Sequence, residues 1–293
     1  MTPIRGVITA MATPFADDGA LDLDAARRLA HHLVDHGSHG LVVAGTTGES
    51  PTLDDGEKLR LVEAVLDEVG DRATVIAGTG SNDTRHSVEL TRDACRLGAD
   101  AALVVTPYYN KPNRTGLRAH FEAVAEAAAG TPIVLYNIPS RCVVNLPPDL
   151  LAELAEIPNV VAVKQANNAE LGPIDGLDLL AGNDEVFLRT LELGGVGGIL
   201  VASHVVGPRM REIYEAVAEG DHERAAEIDR ELAPIYAALT VAPNPIPVKT
   251  ALEALGLAAA NLRLPLVPAS AGERATVRAA LERQGLLSAA GAS

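Results

Sequence analysis

Four apolar residues precede Lys164 in the run VVAVK, residues 160–164. An ammonium at the end of such a run is costly to bury unless it is paired. Desolvation drives its pKa from about 10.4 toward neutrality and leaves a nucleophilic amine. Such an amine condenses with a carbonyl compound to form a Schiff base. The chain has four lysines against twenty arginines. Lys58 falls in an amphipathic helical stretch, Lys111 in a polar loop and Lys249 near the start of a helix after PNPIP. Lys164 alone ends a buried strand, which makes it the candidate nucleophile; the competing reading is a structural lysine paired with a neighbouring carboxylate.

Three further segments carry groups suited to chemistry. AGTTGES, residues 44–50, brackets Thr46 and Thr47 with Gly45 and Gly48. Backbone N–H groups can approach a ligand oxyanion there and the hydroxyls can relay protons, although a tight strand-to-helix turn explains the same residues. TPYYNKP, residues 106–112, and YNIPSR, residues 136–141, place three of the chain's five tyrosines in two short segments. Phenols such as Tyr109 and Tyr136 can transfer protons, and Arg141 can hold a carboxylate bidentately. Tyrosines at such positions also serve as interface packing.

The elements that must position these groups are legible as a series. Short apolar runs recur at residues 4–10, 40–44, 74–78, 101–106, 133–137, 160–164, 177–181 and 198–202. Stretches of helical periodicity lie between them, such as 22–36, 54–69, 84–97 and 116–129, with Gly37, Gly70, Gly98 and Gly130 at the expected C-terminal caps. Eight nearly continuous apolar strands alternating with helices fit a parallel (β/α)8 TIM barrel, whose strands are covered on both faces. A doubly wound open sheet is the alternative, but TPFADDG stands after the first strand where a phosphate-binding GxGxxG would be expected. After Gly220 the pattern becomes helical throughout, over 221–240, 247–255 and 272–287. The expectation is a catalytic barrel of residues 1–220 followed by a C-terminal helical domain of residues 221–293. In a barrel, reactive groups project from the C-terminal ends of the strands, where Lys164, Tyr136 and the 44–50 turn all fall.

Composition narrows the function. The 293 residues carry 24 basic and 39 acidic side chains, a formal net charge of −15, and no segment gathers Lys and Arg into a basic face. Nucleic acid and anionic membranes are therefore not expected partners. No apolar run approaches the roughly 20 residues of a membrane helix. Cys95 and Cys142 are too few for a disulfide framework and lack a metal spacing, which suits a reducing cytoplasm. The segment MTPIRGVITAM has no charged leader followed by a long apolar core, so no signal peptide is expected. No metal cluster and no cofactor motif is apparent.

GTTGES, TPYYNKP, YNIPSR and VKQAN, in this order, resemble the motifs of the dihydrodipicolinate synthase and N-acetylneuraminate lyase family of pyruvate-dependent class I aldolases. The resemblance covers nearly the whole chain. PNPIPVK, residues 243–249, and LRLPLVPAS, residues 262–270, are similar to the dihydrodipicolinate synthase branch, as is the arginine of YNIPSR. It implies that Lys164 forms the Schiff base with pyruvate and that Tyr136 gives and takes protons beside it. The implied relay includes Thr46 and Tyr109, the latter reaching in from a neighbouring subunit. The turn at Thr46 and Thr47 would hold the pyruvate carboxylate, Ile199 would line the same pocket, and Arg141 would receive the carboxylate of L-aspartate 4-semialdehyde. No cofactor and no metal is implied, and the expected assembly is a homotetramer built as a dimer of dimers.

The sequence departs from the family pattern at two places. Cys142 and Val143 follow YNIPSR where Thr-Gly is usual, and Gln165-Ala166-Asn167-Asn168 follow the lysine where Glu-Ala-Ser/Thr-Gly is common. These changes bear on the pocket for the aldehyde and keep a 2-keto-3-deoxy sugar acid aldolase or an N-acetylneuraminate lyase open as alternatives, with a keto-acid-binding sensor as the non-enzymatic one. In lysine-inhibited members the end product binds near the positions that here read Ser50, Pro51, Asp55, Lys58, Asn82 and His86. Those members offer a carboxylate where His86 stands and an imidazole where Lys58 stands. Weak or absent inhibition by L-lysine is therefore expected, unless Asp55 supplies the missing negative charge.

Overall fold

Short runs without a polar break, such as GLVV and AALVV, can only be strands if both faces are covered, and the fold supplies both covers. The computed structural model describes residues 4–288. The outermost residues of the two expected domains, 1–3 and 289–293, lie outside the described residues. The strands are β1 (Gly6–Ala10), β2 (Gly40–Val43), β3 (Thr74–Gly78), β4 (Ala101–Val105), β5 (Ile133–Asn137), β6 (Val160–Gln165), β7 (Asp178–Ala181) and β8 (Gly197–Leu200). They pair in parallel in sequence order, and β8 returns to β1 to close the barrel. The eight expected runs are thus the eight strands. Two boundaries differ in a way that matters: β6 ends on Gln165 rather than Lys164, and β2 ends on Val43 because Ala44 turns into the left-handed region, φ 55°.

Around the barrel lie α1 (Leu23–Asp35), α2 (Asp55–Val69), α3 (Thr84–Leu97), α4 (Arg114–Ala127), the short α5 (Pro139–Cys142), α6 (Pro148–Leu154), α7 (Phe187–Glu192) and α8 (Ser203–Glu219). Local chemistry starts them. The Asp22 carboxylate accepts from Ala25 N, and Asp54 and Glu57 form a reciprocal capping box on α2. Apolar spacing sets their facing, as in α1, which buries Ala25, Ala26, Leu29, Ala30 and Leu33. Gly98 ends α3 in the left-handed conformation expected of a cap, whereas Gly70 ends α2 at φ −64°. At Gly70 the residue is not needed for its backbone freedom: a side chain there would meet Leu66 O at 2.6 Å.

The barrel interior is filled by Ile8, Val42, Ile76, Leu103, Val134, Leu180 and Ile199, and larger apolar layers separate barrel from helices. Beyond Gly220 come α9 (His222–Ala238), α10 (Ile246–Ala254) and α11 (Ala271–Arg283), with no strand among the described residues. These helices share one apolar cluster with β8 and α8, running from Leu200 and Met210 through Ile228 and Leu232 to Val248 and Val277. A buried ion pair also ties them to the barrel: Lys249 Nζ donates to Glu49 Oε1 at 2.5 Å, each side chain 1% exposed. Removing one partner of such a pair costs roughly 3–5 kcal/mol. No helix among the described residues is long and apolar enough to cross a membrane.

Candidate active site

Strand pairing sets Tyr136 on β5 directly against Lys164 on β6, so both side chains point to the same side of the sheet. That side is the barrel interior, and both reach a cavity of about 300 Å³ lined also by Thr46, Thr47, Arg141, Asp184, Val201 and Asn244. Lys164 Nζ stands 4.3 Å from the centroid of the Tyr136 ring. Burial pushes the Lys164 ammonium down to about 7, with Asp184 opposing the fall and Arg141 adding to it. An amine with such a pKa is half unprotonated at neutral pH. Lys164 forms no salt bridge among the described residues, so the structural ion pair that was the competing reading is not formed there.

Tyr136 is buried as well. Desolvation raises its phenol to about 12, against the opposing effects of Arg141 and of a hydrogen bond with the Thr46 side chain. The phenol is therefore neutral at physiological pH and keeps a proton that it can donate. Thr106 fixes this end of β5, since its N–H and hydroxyl both donate to Tyr136 O, at 3.0 and 2.9 Å.

The 44–50 segment folds back over the strand ends. Glu49 N donates to Thr46 O at 3.1 Å and Ser50 N to Gly45 O at 3.2 Å, while Ala44 and Glu49 both take left-handed conformations. Among the described residues neither the Thr46 nor the Thr47 N–H donates to a backbone acceptor. Two adjacent N–H groups without a backbone acceptor, beside a buried amine, are donors that a carboxylate can use. Gly78 permits the approach: a Cβ there would stand 2.4 Å from Ala44 O. From the opposite wall Asn244 Nδ2 donates to Thr47 Oγ1 at 2.9 Å. Arg141, in the last turn of α5, is exposed at the mouth and its Nη2 donates to Asn244 O at 3.4 Å.

Lys164, Tyr136, Thr46, Thr47 and Arg141 are thus brought together. Two expected residues are not. Ile199 is fully buried in the barrel core, and Val201 forms the cavity wall on that side. Tyr109 is 86% exposed, at φ 71°, and lies outside the cavity of its own chain. The three tyrosines of TPYYNKP and YNIPSR therefore separate, with Tyr136 inside, Tyr108 on the wall of a second cavity and Tyr109 in solvent.

Asp184 is the site residue that sequence reasoning passed over. It follows β7 in the loop GNDEV, and its carboxylate accepts from Val201 N at 2.9 Å and from Ala202 N at 3.1 Å, at the start of α8. Burial pushes its carboxyl up to about 6 despite those two bonds. The departures from the family pattern take up different places. Gln165 alternates away from Lys164 and joins an amide network: its Oε1 accepts from Asn137 Nδ2 at 3.0 Å and from Asn167 N at 2.9 Å. Cys142 is buried, its thiol pushed up by desolvation to about 11, and lines the second cavity.

That second cavity, of about 660 Å³, shares Thr46, Tyr136 and Arg141 with the first and extends to all six positions Ser50, Pro51, Asp55, Lys58, Asn82 and His86. Of the carboxylates on its wall, Asp54, Asp55 and Asp83, the one among those six positions is already engaged. Asp55 accepts from His86 Nε2 at 2.8 Å and from Lys58 Nζ at 3.2 Å. Burial raises the Asp55 carboxyl, and the bonds from His86 and Lys58 more than offset this, leaving it below the usual range.

Comparison with known proteins agrees with this geometry. The chain is 50% identical to the 4-hydroxy-tetrahydrodipicolinate synthase of Moorella thermoacetica over 289 residues, 96% of this chain and 98% of that protein. A dihydrodipicolinate synthase from Cyanidioschyzon merolae, solved with lysine bound, superposes with a TM-score of 0.93 at 41% identity, covering 97% of this chain and 99% of that one. A chloride-inhibited dihydrodipicolinate synthase from Acinetobacter baumannii, complexed with pyruvate, gives the same TM-score at 37% identity, covering 97% and 100%. Residues 3–284 match the dihydrodipicolinate synthetase family, and over that span, essentially the whole barrel and its helical continuation, the chain belongs to it.

Proposed function

We propose that the chain condenses pyruvate with L-aspartate 4-semialdehyde to 4-hydroxy-tetrahydrodipicolinate, as a Schiff-base lyase of lysine and diaminopimelate biosynthesis. The observation that carries this reading is the desolvated Lys164 amine facing a cavity beside Tyr136 and the open N–H groups of Thr46 and Thr47. The pyruvate carboxylate docks on those N–H groups. Lys164 attacks the ketone, water leaves, and the iminium draws electrons from the methyl group, which gives up a proton to form an enamine. Tyr136 moves protons between Lys164, the leaving water and the Thr46 hydroxyl. The enamine carbon attacks the aldehyde, Arg141 holding the carboxylate of that substrate. The amine of the semialdehyde then displaces Lys164 from the iminium, which closes the ring and restores the free enzyme.

In this reading Tyr109, exposed on its own chain, completes the relay in the site of a neighbouring copy, within a homotetramer built as a dimer of dimers. The protein acts in the cytoplasm on small molecules, without nucleic acid, membrane, metal or organic cofactor. The chain divides at Gly220 into a catalytic barrel and a helical domain that closes one wall of the cavity through Asn244.

Borohydride reduction in the presence of pyruvate tests the mechanism. The expected result is a reduced pyruvyl adduct on Lys164, with Lys58, Lys111 and Lys249 unmodified; no adduct, or one on another lysine, overturns it. Parallel assays with aspartate semialdehyde, N-acetylmannosamine and glyceraldehyde identify the aldehyde, and turnover confined to either of the latter two overturns the choice of substrate.

A further inference from the structure

Three lysines of this chain are buried, Lys58, Lys164 and Lys249, and the mechanism uses Lys164 alone. Lys249, on α10, donates to Glu49 Oε1 at 2.5 Å and to Asn261 O at 2.7 Å, and its Nζ lies 4.2 Å from the centre of the Phe15 ring. Those contacts leave it no access to the cavity. Its partner is the informative one, because Glu49 belongs to the turn that carries Thr46 and Thr47. The second Glu49 oxygen, Oε2, accepts from Arg263 N at 3.1 Å. Both groups that grip the carboxylate therefore come from the helical segment beyond Gly220, while the backbone N–H of the same residue holds Thr46 O. Glu49 is also left-handed, φ 54°, a conformation a non-glycine residue keeps only when its surroundings over-determine it. Residues 45–47 contribute no buried apolar side chain to the core clusters, so the shape of the turn depends on its polar anchors.

We propose that Lys249 is a positioning residue: by holding the Glu49 carboxylate it fixes the 45–50 turn, so that the Thr46 and Thr47 N–H groups stay convergent on the pyruvate carboxylate. This rests on the reading of that turn as the pyruvate site. It separates two functions along the chain. Lys164 and Tyr136 are placed by β5 and β6 and set the chemistry; Lys249 and Glu49 set the affinity for the keto acid. A plain structural tie between helices and barrel differs in what it controls, since its loss lowers the amount of folded protein and leaves the folded fraction with an unchanged KM.

Lys249→Met alone leaves the Glu49 carboxylate buried without its cation and can fail to fold. The double variant Lys249→Met/Glu49→Gln buries no unpaired charge and is the one to measure, with Glu49→Gln and Lys249→Arg beside it. Folding is checked by circular dichroism, and pyruvate KM and kcat by steady-state assay. The expected result for the double variant is a pyruvate KM raised by about 10-fold or more with kcat within about 3-fold of the parent. Lys249→Arg, which keeps the cation, should recover part of the lost affinity. The double variant should also lose no more than the worse single variant, because the two residues act through one link. A folded double variant with the parent's pyruvate KM, or with kcat reduced at unchanged KM, overturns the proposal. Borohydride trapping at saturating pyruvate separates the two levels. A parent protein that is not trapped at Lys164 refutes the proposed function and this inference with it, whereas normal trapping with an unchanged KM refutes the role of Lys249 alone.

Discussion

The depressed pKa of Lys164 can be measured through the rate at which pyruvate is trapped. With the ammonium titrating at about 7, half of the protein carries a free amine at pH 7. An ordinary lysine near 10.4 would supply a free fraction smaller by a factor on the order of 10³. The sign follows from the chemistry, because only the unprotonated amine attacks. Trapping with cyanoborohydride at fixed subsaturating pyruvate should be slow at pH 5, with about 1% free amine, reach about a tenth at pH 6, and level off above about pH 8. Two substitutions should move the midpoint in opposite directions. Asp184→Asn removes the anion that supports the ammonium, so the midpoint falls; Arg141→Ala removes a cation that opposes it, so the midpoint rises. Peptide mapping of the adduct confirms that Lys164 is being followed. A trapping rate that still climbs tenfold per unit between pH 8 and 10 refutes the desolvated amine, and a shift of both variants in one direction refutes the electrostatic account of it.

Arg141→Ala should raise the KM for the aldehyde by about 10- to 150-fold, the loss of one charge-assisted contact worth roughly 1.5–3 kcal/mol, while pyruvate trapping at saturation persists. An unchanged aldehyde KM would mean that the guanidinium does not meet a substrate carboxylate. Tyr136→Phe should lower kcat by a factor on the order of 10²–10⁴ and spare pyruvate binding, measured by calorimetry. Tyr109→Phe should also lose turnover, and mixed oligomers formed with inactive Lys164→Ala chains should regain part of it; an exposed Tyr109 acting nowhere predicts full activity of the first variant. Titration with L-lysine should show weak or absent inhibition, because Asp55 is already held by Lys58 and His86. Strong inhibition at lysine concentrations comparable to the substrate KM values would show that Asp55 is released to bind it.

How much of this was legible beforehand depended on the range of the interaction. Strand positions such as 74–78 and 133–137 are set by local apolar runs and their turns, and they coincide with β3 and β5. The burial of the candidate nucleophile was legible for the same reason, since Lys164 directly follows the apolar run VVAV. Asp184 was missed although it lies just after β7, on the face where barrel chemistry gathers; applying the strand-end rule to that loop would have found it. Lys249 shows the limit. Its place near the start of a helix was readable, but its burial was not, because its partner Glu49 stands 200 residues away in the chain. Tyr109 is exposed on its own chain, and no property of TPYYNKP distinguishes a phenol turned inward from one turned out. Ile199 alternates correctly into the barrel, yet the depth at which the cavity ends is decided by the whole set of interior side chains.

The Asp184 carboxylate, bonded to the N–H groups of Val201 and Ala202, has a consequence for what this barrel can take as substrate. In many barrels the loops after the last two strands and the helix start beyond them hold the phosphate of a phosphorylated metabolite. Here that cradle is filled from within by the chain's own anion, and a phosphate arriving there would meet a negative charge already in possession of the donors. The open N–H groups lie across the cavity instead, on the turn after β2, where a planar carboxylate fits beside the amine. With the Asp184 carboxylate on those donors, the cavity suits a substrate that brings no phosphate to this end of the barrel.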